Sequence, residues 1–195
     1  MSDNLAYRDD FREKVREELI GGEVFLMAPA STNHVLVSGN VYSIFGNYLK
    51  GKKCVPFMDG VKVFLTEQDH FVPDMMVVCD WEKIKPDGVH GAPDLVGEIL
   101  SPSTMRNDKT RKKEVYAKCG VREYWIISLG DKAVEQYLLR DGDLGLNSIY
   151  VLPPDWMPAR MTEKEHAEVV TRFKCSLYDA LDIHLEDIFY RTFGK

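Results

Sequence analysis

The chain has 195 residues, 45% of them hydrophobic and 29% charged, which is the composition of a globular protein with a substantial core. Its apolar runs are shorter than the roughly 18 residues of a membrane span, and residues 1–4 lack the basic start and apolar core of a signal peptide. The net charge of −6 argues against a protein that coats nucleic acid over its whole surface. We therefore expect a cytoplasmic protein without a membrane partner, formed by a single domain over residues 1–195.

The first third of the chain predicts two helices and three strands. Apolar residues spaced by four indicate an amphipathic helix that ends at Gly21 and Gly22. Ser31 or Thr32 is suited to cap the second helix, and Asp59-Gly60 between two β-rich runs predicts a hairpin. The predicted elements are a helix at 9–20, a strand at 23–27, a helix that starts at 31 or 32, and strands at 54–58 and 61–65.

The rest of the chain predicts buried strands and one strongly basic helix. The run at 75–79 is continuously apolar, which is typical of a central strand, and the run at 95–100 returns antiparallel to it after a loop at 80–93. The elements predicted beyond them are a helix at 107–119, strands at 123–129, 133–139, 148–152 and 169–173, and a closing helical segment at 177–190. This order predicts the α/β class, with one mixed β-sheet flanked by helices.

The cysteines lie far apart in the sequence and include no Cys-x-x-Cys pair. Because Cys79 and Cys119 stand in apolar surroundings, we expect buried free thiols in a reducing cytoplasm, without disulfides or zinc. His34, in the first turn of the second helix, is expected to be a core or capping residue, and the other histidines show no metal-ligand spacing. The chain also lacks the Gly-rich and nucleophile motifs of nucleotide-binding proteins and acyl-enzymes.

Two carboxylates, Asp74 and Glu98, stand in segments that are otherwise apolar. A buried carboxylate without a partner is costly, so this placement indicates a metal, another cation or a catalytic role. If the two strands pair antiparallel, the start of the first lies beside the end of the second, and the carboxylates meet at one end of the sheet. With the peptide carbonyl beside Glu98 they would form an all-oxygen site for Mg²⁺ or Mn²⁺. A metal there could position a phosphodiester and generate hydroxide from bound water.

A lysine near this pair would stabilise the charge that develops on a phosphodiester. A D/E-x-K pattern that starts at Glu98 has Leu100 in the lysine position, so the lysine would come from the following helix. Lys112 meets this need, and Asp108, four residues earlier on the same helical face, would orient it. A plain Asp108–Lys112 helix pair, worth about 0.3–0.5 kcal/mol, is the simpler alternative. Glu23 could join the metal ligands or could be an ordinary solvated residue at the start of a strand.

Basic side chains are concentrated in residues 101–125, which hold seven basic and three acidic residues. This segment therefore carries +4, while the rest of the chain carries −10. A basic patch on an acidic body could guide a polyanion to one place, although a solvated helix face explains the pattern equally well. Trp81, in the loop at 80–93, is a candidate for stacking on the bases of a single strand.

Four motifs occur together in this chain: Pro73-Asp74, Glu98-Ile99-Leu100-Ser101-Pro102-Ser103-Thr104, the spacing Asp108…Lys112…Tyr116, and Gly120-Val121-Arg122-Glu123-Tyr124-Trp125. In this combination they closely resemble the Uma-type restriction endonuclease family, a large bacterial family within the PD-(D/E)XK nuclease superfamily. The resemblance extends more weakly to the segment from Gly22 to His34 and covers most of the chain.

The resemblance implies a restriction-endonuclease-like fold and cleavage of DNA phosphodiester bonds that depends on Mg²⁺ or Mn²⁺. The site residues that it implies are Asp74 and Glu98 as metal ligands, Glu23 as an auxiliary acidic ligand, and Lys112 as a catalytic lysine that has migrated from its usual position. Lys109 and Lys113 are alternatives for the lysine. A homodimer would suit cleavage of both strands. Two other hypotheses stay open: an RNA or structured-junction substrate, and a non-catalytic nucleic-acid-binding or regulatory module that retains the fold.

Overall fold

Strands are the commonest element in the computed structural model, which describes residues 16–154, 157 and 160–193. The strands are β1 (Glu17–Ile20), β2 (Glu23–Leu26), β3 (Val55–Met58), β4 (Val63–Thr66), β5 (Asp69–Phe71), β6 (Met75–Val78), β7 (Ile84–Lys85), β8 (Gly88–His90), β9 (Leu95–Ile99), β10 (Glu123–Ser128), β11 (Ala133–Arg140), β12 (Asp143–Val151), β13 (Arg172–Lys174) and β14 (Asp182–His184).

Helix α2 combines α-helical and π-helical turns and is the helix that matters most for the site. Its parts are an α-helical turn (Met105–Asn107), a π-helical turn (Asp108–Lys112) and a second α-helical segment (Lys113–Cys119). The other helices are α1 (Thr32–Leu49), α3 (Glu163–Glu168) and α4 (Leu185–Ile188), with a 3₁₀ turn at Trp81–Lys83. Ser31 caps α1, as predicted, by accepting a hydrogen bond from the backbone N–H of His34.

The strands of the described residues form two six-stranded mixed sheets and a small two-stranded sheet. The central sheet has the order β12-β11-β10-β9-β6-β3, and the second sheet has the order β2-β1-β5-β4-β8-β7. In the central sheet β6 is antiparallel to β9, as predicted, whereas β9 and β10 are parallel and are joined by the crossover helix α2. The α/β class is confirmed, but two large sheets replace the single sheet that we expected.

Side chains of the central sheet alternate between two hydrophobic cores, as the period of two along a strand requires. Met75, Val77 and Ile99 belong to a core that residues of α1 and α4 complete. Met76 and Val96 belong to a core that residues of the second sheet and α2 complete. Because both faces of β6 and β9 are covered, their sequences read as continuous apolar runs. A charged residue in either strand is therefore buried whichever face it occupies.

The start of the described chain is a hairpin, which contradicts the predicted helix at 9–20 over the residues that can be compared. Glu17–Ile20 is strand β1 and pairs antiparallel with β2, while residues 9–15 lie outside the described part. Gly21 and Gly22 have φ values of 60° and 81° and form the two-residue turn between these strands. Glycine adopts positive φ without a steric penalty, so the Gly-Gly pair marks a hairpin and does not end a helix.

The turn at Asp59-Gly60 leads from one sheet into the other. Strand β3 pairs with β6 in the central sheet, whereas β4 pairs with β5 and β8 in the second sheet. The predicted hairpin between the two flanking runs is therefore wrong. An Asp-Gly turn determines only a local reversal of the chain, and each flanking strand finds its hydrogen-bond partner elsewhere.

Cys54 and Cys79 form a disulfide, which contradicts the expectation of free thiols for this pair. Cys54 directly precedes β3 and Cys79 directly follows β6, so the antiparallel register of these strands places the two cysteines opposite each other. Their separation of 25 residues hides this proximity from a reading of the sequence. Cys119 and Cys175 are free thiols, as expected.

The remaining differences concern loops and the C-terminal segment. The predicted loop at 80–93 contains β7, β8 and the 3₁₀ turn. Most of the predicted closing helix at 177–190 is wrong, because β14 pairs with β13 there and α4 is only one turn long. The strands predicted at 123–129 and 133–139 correspond to β10 and β11, which pair antiparallel. Within the described residues, no helix combines the length and apolarity needed to cross a membrane.

Candidate active site

Asp74 and Glu98 lie opposite each other at one end of the central sheet. The antiparallel register pairs Met75 with Gly97, so the next position along the ladder sets Asp74 against Glu98. The backbone N–H of Ile99 donates a hydrogen bond of 2.7 Å to Oδ2 of Asp74, which ties the two strand ends together. The antiparallel register therefore places the strand ends that carry Asp74 and Glu98 side by side, as predicted, while the role of these carboxylates as metal ligands stays a prediction.

Helix α1 holds Asp74 from the other side. His34 Nε2 lies 2.8 Å from Oδ1 of Asp74, and the Ser38 hydroxyl donates a hydrogen bond of 2.9 Å to the Asp74 carbonyl. Burial lowers the pKa of His34, but the hydrogen bond and the charge of Asp74 outweigh it, so the pKa lies above its ordinary value. His34 is therefore more than the core or capping residue that we expected, because it fixes one oxygen of a candidate ligand.

The Lys112 ammonium lies among three carboxylates. Its Nζ is 2.7 Å from Glu98 Oε1, 3.0 Å from Glu18 Oε1 and 3.3 Å from Asp108 Oδ1. All four side chains are at most 6% exposed. Burial lowers the pKa of Lys112, but the surrounding carboxylates raise it well above its ordinary value, so the lysine is charged. The simple surface pair between Asp108 and Lys112 is excluded by this burial.

The π-helical turn of α2 places both Asp108 and Lys112 inside the protein. Isolated π turns in α-helices are rare and frequently accompany functional sites. The Tyr124 hydroxyl donates a hydrogen bond of 3.0 Å to the Asp108 carbonyl. Oδ1 of Asp108 is buried and accepts no hydrogen bond, since the Lys112 ammonium at 3.3 Å lies outside hydrogen-bond geometry. Burial raises the pKa of Asp108 above its ordinary value.

Tyr116, one turn beyond Lys112, holds the same carboxylate as the lysine. Its hydroxyl donates a hydrogen bond of 2.9 Å to Oε1 of Glu98. Burial and the neighbouring carboxylates raise the pKa of Glu98 well above its ordinary value, against the opposing effect of Lys112. The motif spacing Asp108…Lys112…Tyr116 therefore brings all three side chains to the surroundings of Glu98.

Glu18 is the acidic residue of this cluster that sequence reasoning missed. It lies on β1, and its Oε1 also accepts a hydrogen bond of 2.8 Å from the backbone N–H of Val72. The predicted helix hid its orientation, whereas the alternation of a strand would have put Glu18 and Ile20 on the same buried face. Glu23, the predicted auxiliary ligand, is exposed on β2 and pairs with Arg111 at 2.9 Å, so the structure does not bring it to the cluster.

The alternative lysines of α2 point elsewhere. Lys109 Nζ pairs with Glu135 at 2.6 Å, and Lys113 Nζ lies 4.9 Å from the centre of the Tyr137 ring. Much of the basic segment at 101–125 is thus neutralised by side chains of the protein itself. Trp81 is exposed beyond the opposite end of β6, where its indole N–H donates a hydrogen bond of 2.7 Å to the Lys53 carbonyl.

The chemistry of the cluster suits a hard divalent cation. Glu18, Glu98 and Asp108 supply oxygen donors whose combined charge exceeds that of Lys112, and Asp74 adds a fourth carboxylate nearby. Oδ1 of Asp108 adds a buried oxygen that accepts no hydrogen bond and whose neighbouring charge is the Lys112 ammonium at 3.3 Å. In the present arrangement, however, no three His, Cys, Asp or Glu side chains of the described residues converge on a point where they could hold a metal ion.

Comparison with known proteins assigns the family. The model of the Uma2 family, described as "Putative restriction endonuclease", matches residues 2–184. The chain belongs to the Uma2 family. The resemblance identified from the motifs is thereby confirmed over nearly the whole sequence.

Two proteins of Synechocystis and one solved structure are similar to this chain. The uncharacterised protein slr1290 of Synechocystis sp. is 29% identical over 132 residues, which are 67% of this chain and 70% of that protein. A second Synechocystis protein, the uncharacterised sll1609, is 27% identical over 126 residues, or 63% of this chain and 71% of that protein. A solved structure, titled as a putative nuclease belonging to DUF820 from Anabaena variabilis, matches with a TM-score of 0.67, 19% identity and 89% coverage of both chains. This last likeness concerns the fold.

Proposed function

We propose that this protein is a metal-dependent endonuclease that hydrolyses phosphodiester bonds of DNA, with Asp74, Glu98 and Lys112 at the centre of its site. The observation that carries the proposal is the opposition of Asp74 and Glu98 at one end of the central sheet, with the buried Lys112 ammonium on Glu98. Membership of the Uma2 family supports a nuclease of the restriction-endonuclease type.

Asp74 and Glu98 would hold Mg²⁺ or Mn²⁺, and Glu18 is better situated than Glu23 to serve as the auxiliary acidic residue. The metal, when bound, would neutralise charge on the phosphate and provide a water of lowered pKa as the nucleophile. The protein's own groups orient these carboxylates: His34 and the Ile99 N–H fix the two oxygens of Asp74, and Tyr116 and Lys112 fix Glu98.

The substrate would approach from the side of Asp74. The side chains of His34 and Asp74 are 14% and 10% exposed, whereas those of Lys112 and Glu98 are 3% and 4% exposed. A phosphate would therefore reach Asp74 before the more deeply buried Lys112 and Glu98. In this arrangement the lysine stabilises charge on the carboxylate ligand and, once the substrate is bound, on the phosphate.

Cleavage of supercoiled plasmid DNA tests the proposal. Protein freed of metal with EDTA is assayed with Mg²⁺ or Mn²⁺ as wild type, Asp74→Asn, Glu98→Gln and Lys112→Met. We expect nicking that EDTA stops and that each substitution lowers by at least about a hundredfold. Lys118→Met, which removes an exposed lysine from the same helix, is the matched control and should retain activity. Activity that survives Lys112→Met would remove the lysine from the proposed site.

A non-catalytic module is the second candidate, and one observation favours it. In the described residues the carboxylates are closed around Lys112 and do not converge on a metal position. A module of this kind would bind nucleic acid, bind no divalent metal and cleave neither DNA nor RNA. Titration of the metal-free protein with Mn²⁺ separates the two candidates, and parallel assays with RNA and branched DNA test the substrate class. Light scattering tests the predicted homodimer.

A further inference from the structure

We propose that Lys112 is a built-in counter-ion that keeps the carboxylates of the site in place when no metal is bound, and that it thereby weakens metal binding. This inference rests on the proposed function, because it assumes that the same carboxylates receive a divalent cation. It adds a role for Lys112 that is separate from any effect on the phosphate.

The position of Lys112 is the first argument. Its ammonium contacts Glu98, Glu18 and Asp108 within 3.3 Å and is almost completely buried. These carboxylates come from three separate parts of the chain, namely β9, β1 and the π-helical turn of α2. Like charges from three elements would repel one another without a cation between them. The ammonium therefore holds together β1, β9 and the π-helical turn of α2, whose carboxylates would otherwise repel one another.

The charge balance is the second argument. One ammonium offsets one of the three carboxylates that it contacts, and two formal negative charges are left over. Oδ1 of Asp108 is buried and accepts no hydrogen bond, so the Lys112 ammonium at 3.3 Å compensates this oxygen by charge alone. A divalent ion would compete with this permanent cation for the same carboxylates, so we expect it to bind with lower affinity than at the same site without the lysine.

The test compares wild type, Lys112→Met and the surface control Lys118→Met, all as the full-length chain freed of metal with EDTA. Thermal unfolding is followed with and without Mn²⁺, and Mn²⁺ affinity is measured by titration calorimetry. We expect Lys112→Met to unfold at a lower temperature than wild type in EDTA, because three carboxylates lose their counter-ion. Mn²⁺ should restore most of this loss, and it should bind the variant at least about tenfold more tightly than wild type.

A second variant covers the case in which Lys112→Met does not fold. The double substitution Glu18→Gln with Lys112→Met removes one negative charge together with the lysine, and its amide oxygen can still accept from the Val72 N–H. We expect this variant to fold more stably in EDTA than Lys112→Met alone. Failure of the second substitution to rescue folding would overturn the counter-ion role.

Equal unfolding temperatures of wild type and Lys112→Met in EDTA would overturn the proposal, as would Mn²⁺ binding to Lys112→Met that is no tighter than to wild type. These outcomes are distinct from failure of the proposed nuclease function. If Lys112→Met binds Mn²⁺ more tightly while wild type cleaves nothing, the counter-ion role stands and the nuclease proposal fails. If wild type cleaves DNA while the variant shows no gain in affinity, the nuclease proposal stands and the counter-ion role fails.

Discussion

Two buried glutamates, Glu98 and Glu123, are stabilised in opposite ways. Glu123 is fully buried, and its carboxylate accepts hydrogen bonds from neutral donors: the Trp125 indole at 2.6 Å, the Gln136 amide at 2.7 Å, and the backbone N–H and hydroxyl of Ser176 at 2.7 and 2.5 Å. Glu98 has different partners: it accepts a hydrogen bond from a tyrosine hydroxyl and contacts an ammonium that two other carboxylates share.

The comparison shows what distinguishes a structural carboxylate from a candidate functional one. The donors around Glu123 come from β10, β11 and the segment after β13, so the glutamate joins the C-terminal segment to the central sheet. A carboxylate whose lone pairs are filled by fixed donors has little capacity for another ligand. The Glu98 cluster instead has three carboxylates around one ammonium, and Oδ1 of Asp108 accepts no hydrogen bond. This difference is the reason why we propose Glu98, and not Glu123, as a ligand of a divalent cation.

Glu123→Ala should produce the largest effect on stability. The substitution leaves the Trp125, Gln136 and Ser176 donors buried without an acceptor, and it also opens a cavity, so we expect a loss of about 3–5 kcal/mol in the free energy of unfolding. Urea denaturation followed by tryptophan fluorescence measures this loss.

Glu98→Gln is the counterpart in this comparison. It retains an acceptor for the Tyr116 hydroxyl and reduces the surplus charge, so we expect its stability to stay within about 1 kcal/mol of wild type. A loss in Glu98→Gln as large as that in Glu123→Ala would show that the two carboxylates have the same structural role.

Asp108→Asn should have a smaller effect that depends on pH. Because burial raises the pKa of Asp108, the folded protein binds a proton at this carboxyl at a higher pH than the unfolded chain does. The charged carboxylate therefore costs stability as the pH rises through the raised pKa, and the cost is absent below the unfolded pKa of about 4. We expect the variant to be more stable than wild type by up to about 1 kcal/mol at about pH 8, with the gain fading in acid.

Unfolding in urea across this pH range, at constant ionic strength, measures the difference between Asp108→Asn and wild type. Lys112 keeps Glu18 and Glu98 as partners in the variant. If the variant is instead less stable at every pH, the attraction between Asp108 and Lys112 exceeds the cost of burying the carboxylate.

Glu23→Gln should have the smallest effect. Its side chain pairs with Arg111 on the surface, and exposed pairs contribute at most about 1 kcal/mol. We expect cleavage within about twofold of wild type, whereas Glu18→Gln should lower it clearly, because Glu18 contacts Lys112. Plasmid cleavage by the two variants, measured side by side, tests which glutamate belongs to the site. A strong loss in Glu23→Gln alone would return the auxiliary role to Glu23.

The sequence was sufficient to predict how the central residues of the candidate site are placed. Asp74 directly precedes one continuously apolar run and Glu98 lies in the next, so antiparallel pairing of these two runs predicted that the residues lie near each other. Lys112 and Asp108 share a helical face at a spacing of four, and this spacing survives the π-helical turn. These inferences depend on the periodicity of side chains within one helix and on the pairing of two adjacent strands.

The features that were missed depend on contacts between distant parts of the chain. Glu18 reaches the cluster because β1 joins a second sheet, and four residues are too few for their pattern to distinguish a strand from a helix. The pairing of Cys54 with Cys79 depends on which strand β3 selects. Trp81 and the basic residues of α2 have partners that composition does not reveal.

The Cys54–Cys79 disulfide has a consequence for the unfolded chain. It closes a covalent ring that contains β3, β4, β5 and β6, and these strands belong to both large sheets. The ring also contains Val72, whose N–H holds Glu18, and Asp74. Cross-linking across 25 residues restricts the conformations of the unfolded state and lowers its entropy. In the unfolded chain with the disulfide intact, strand residues of both sheets are therefore already confined to one covalent loop.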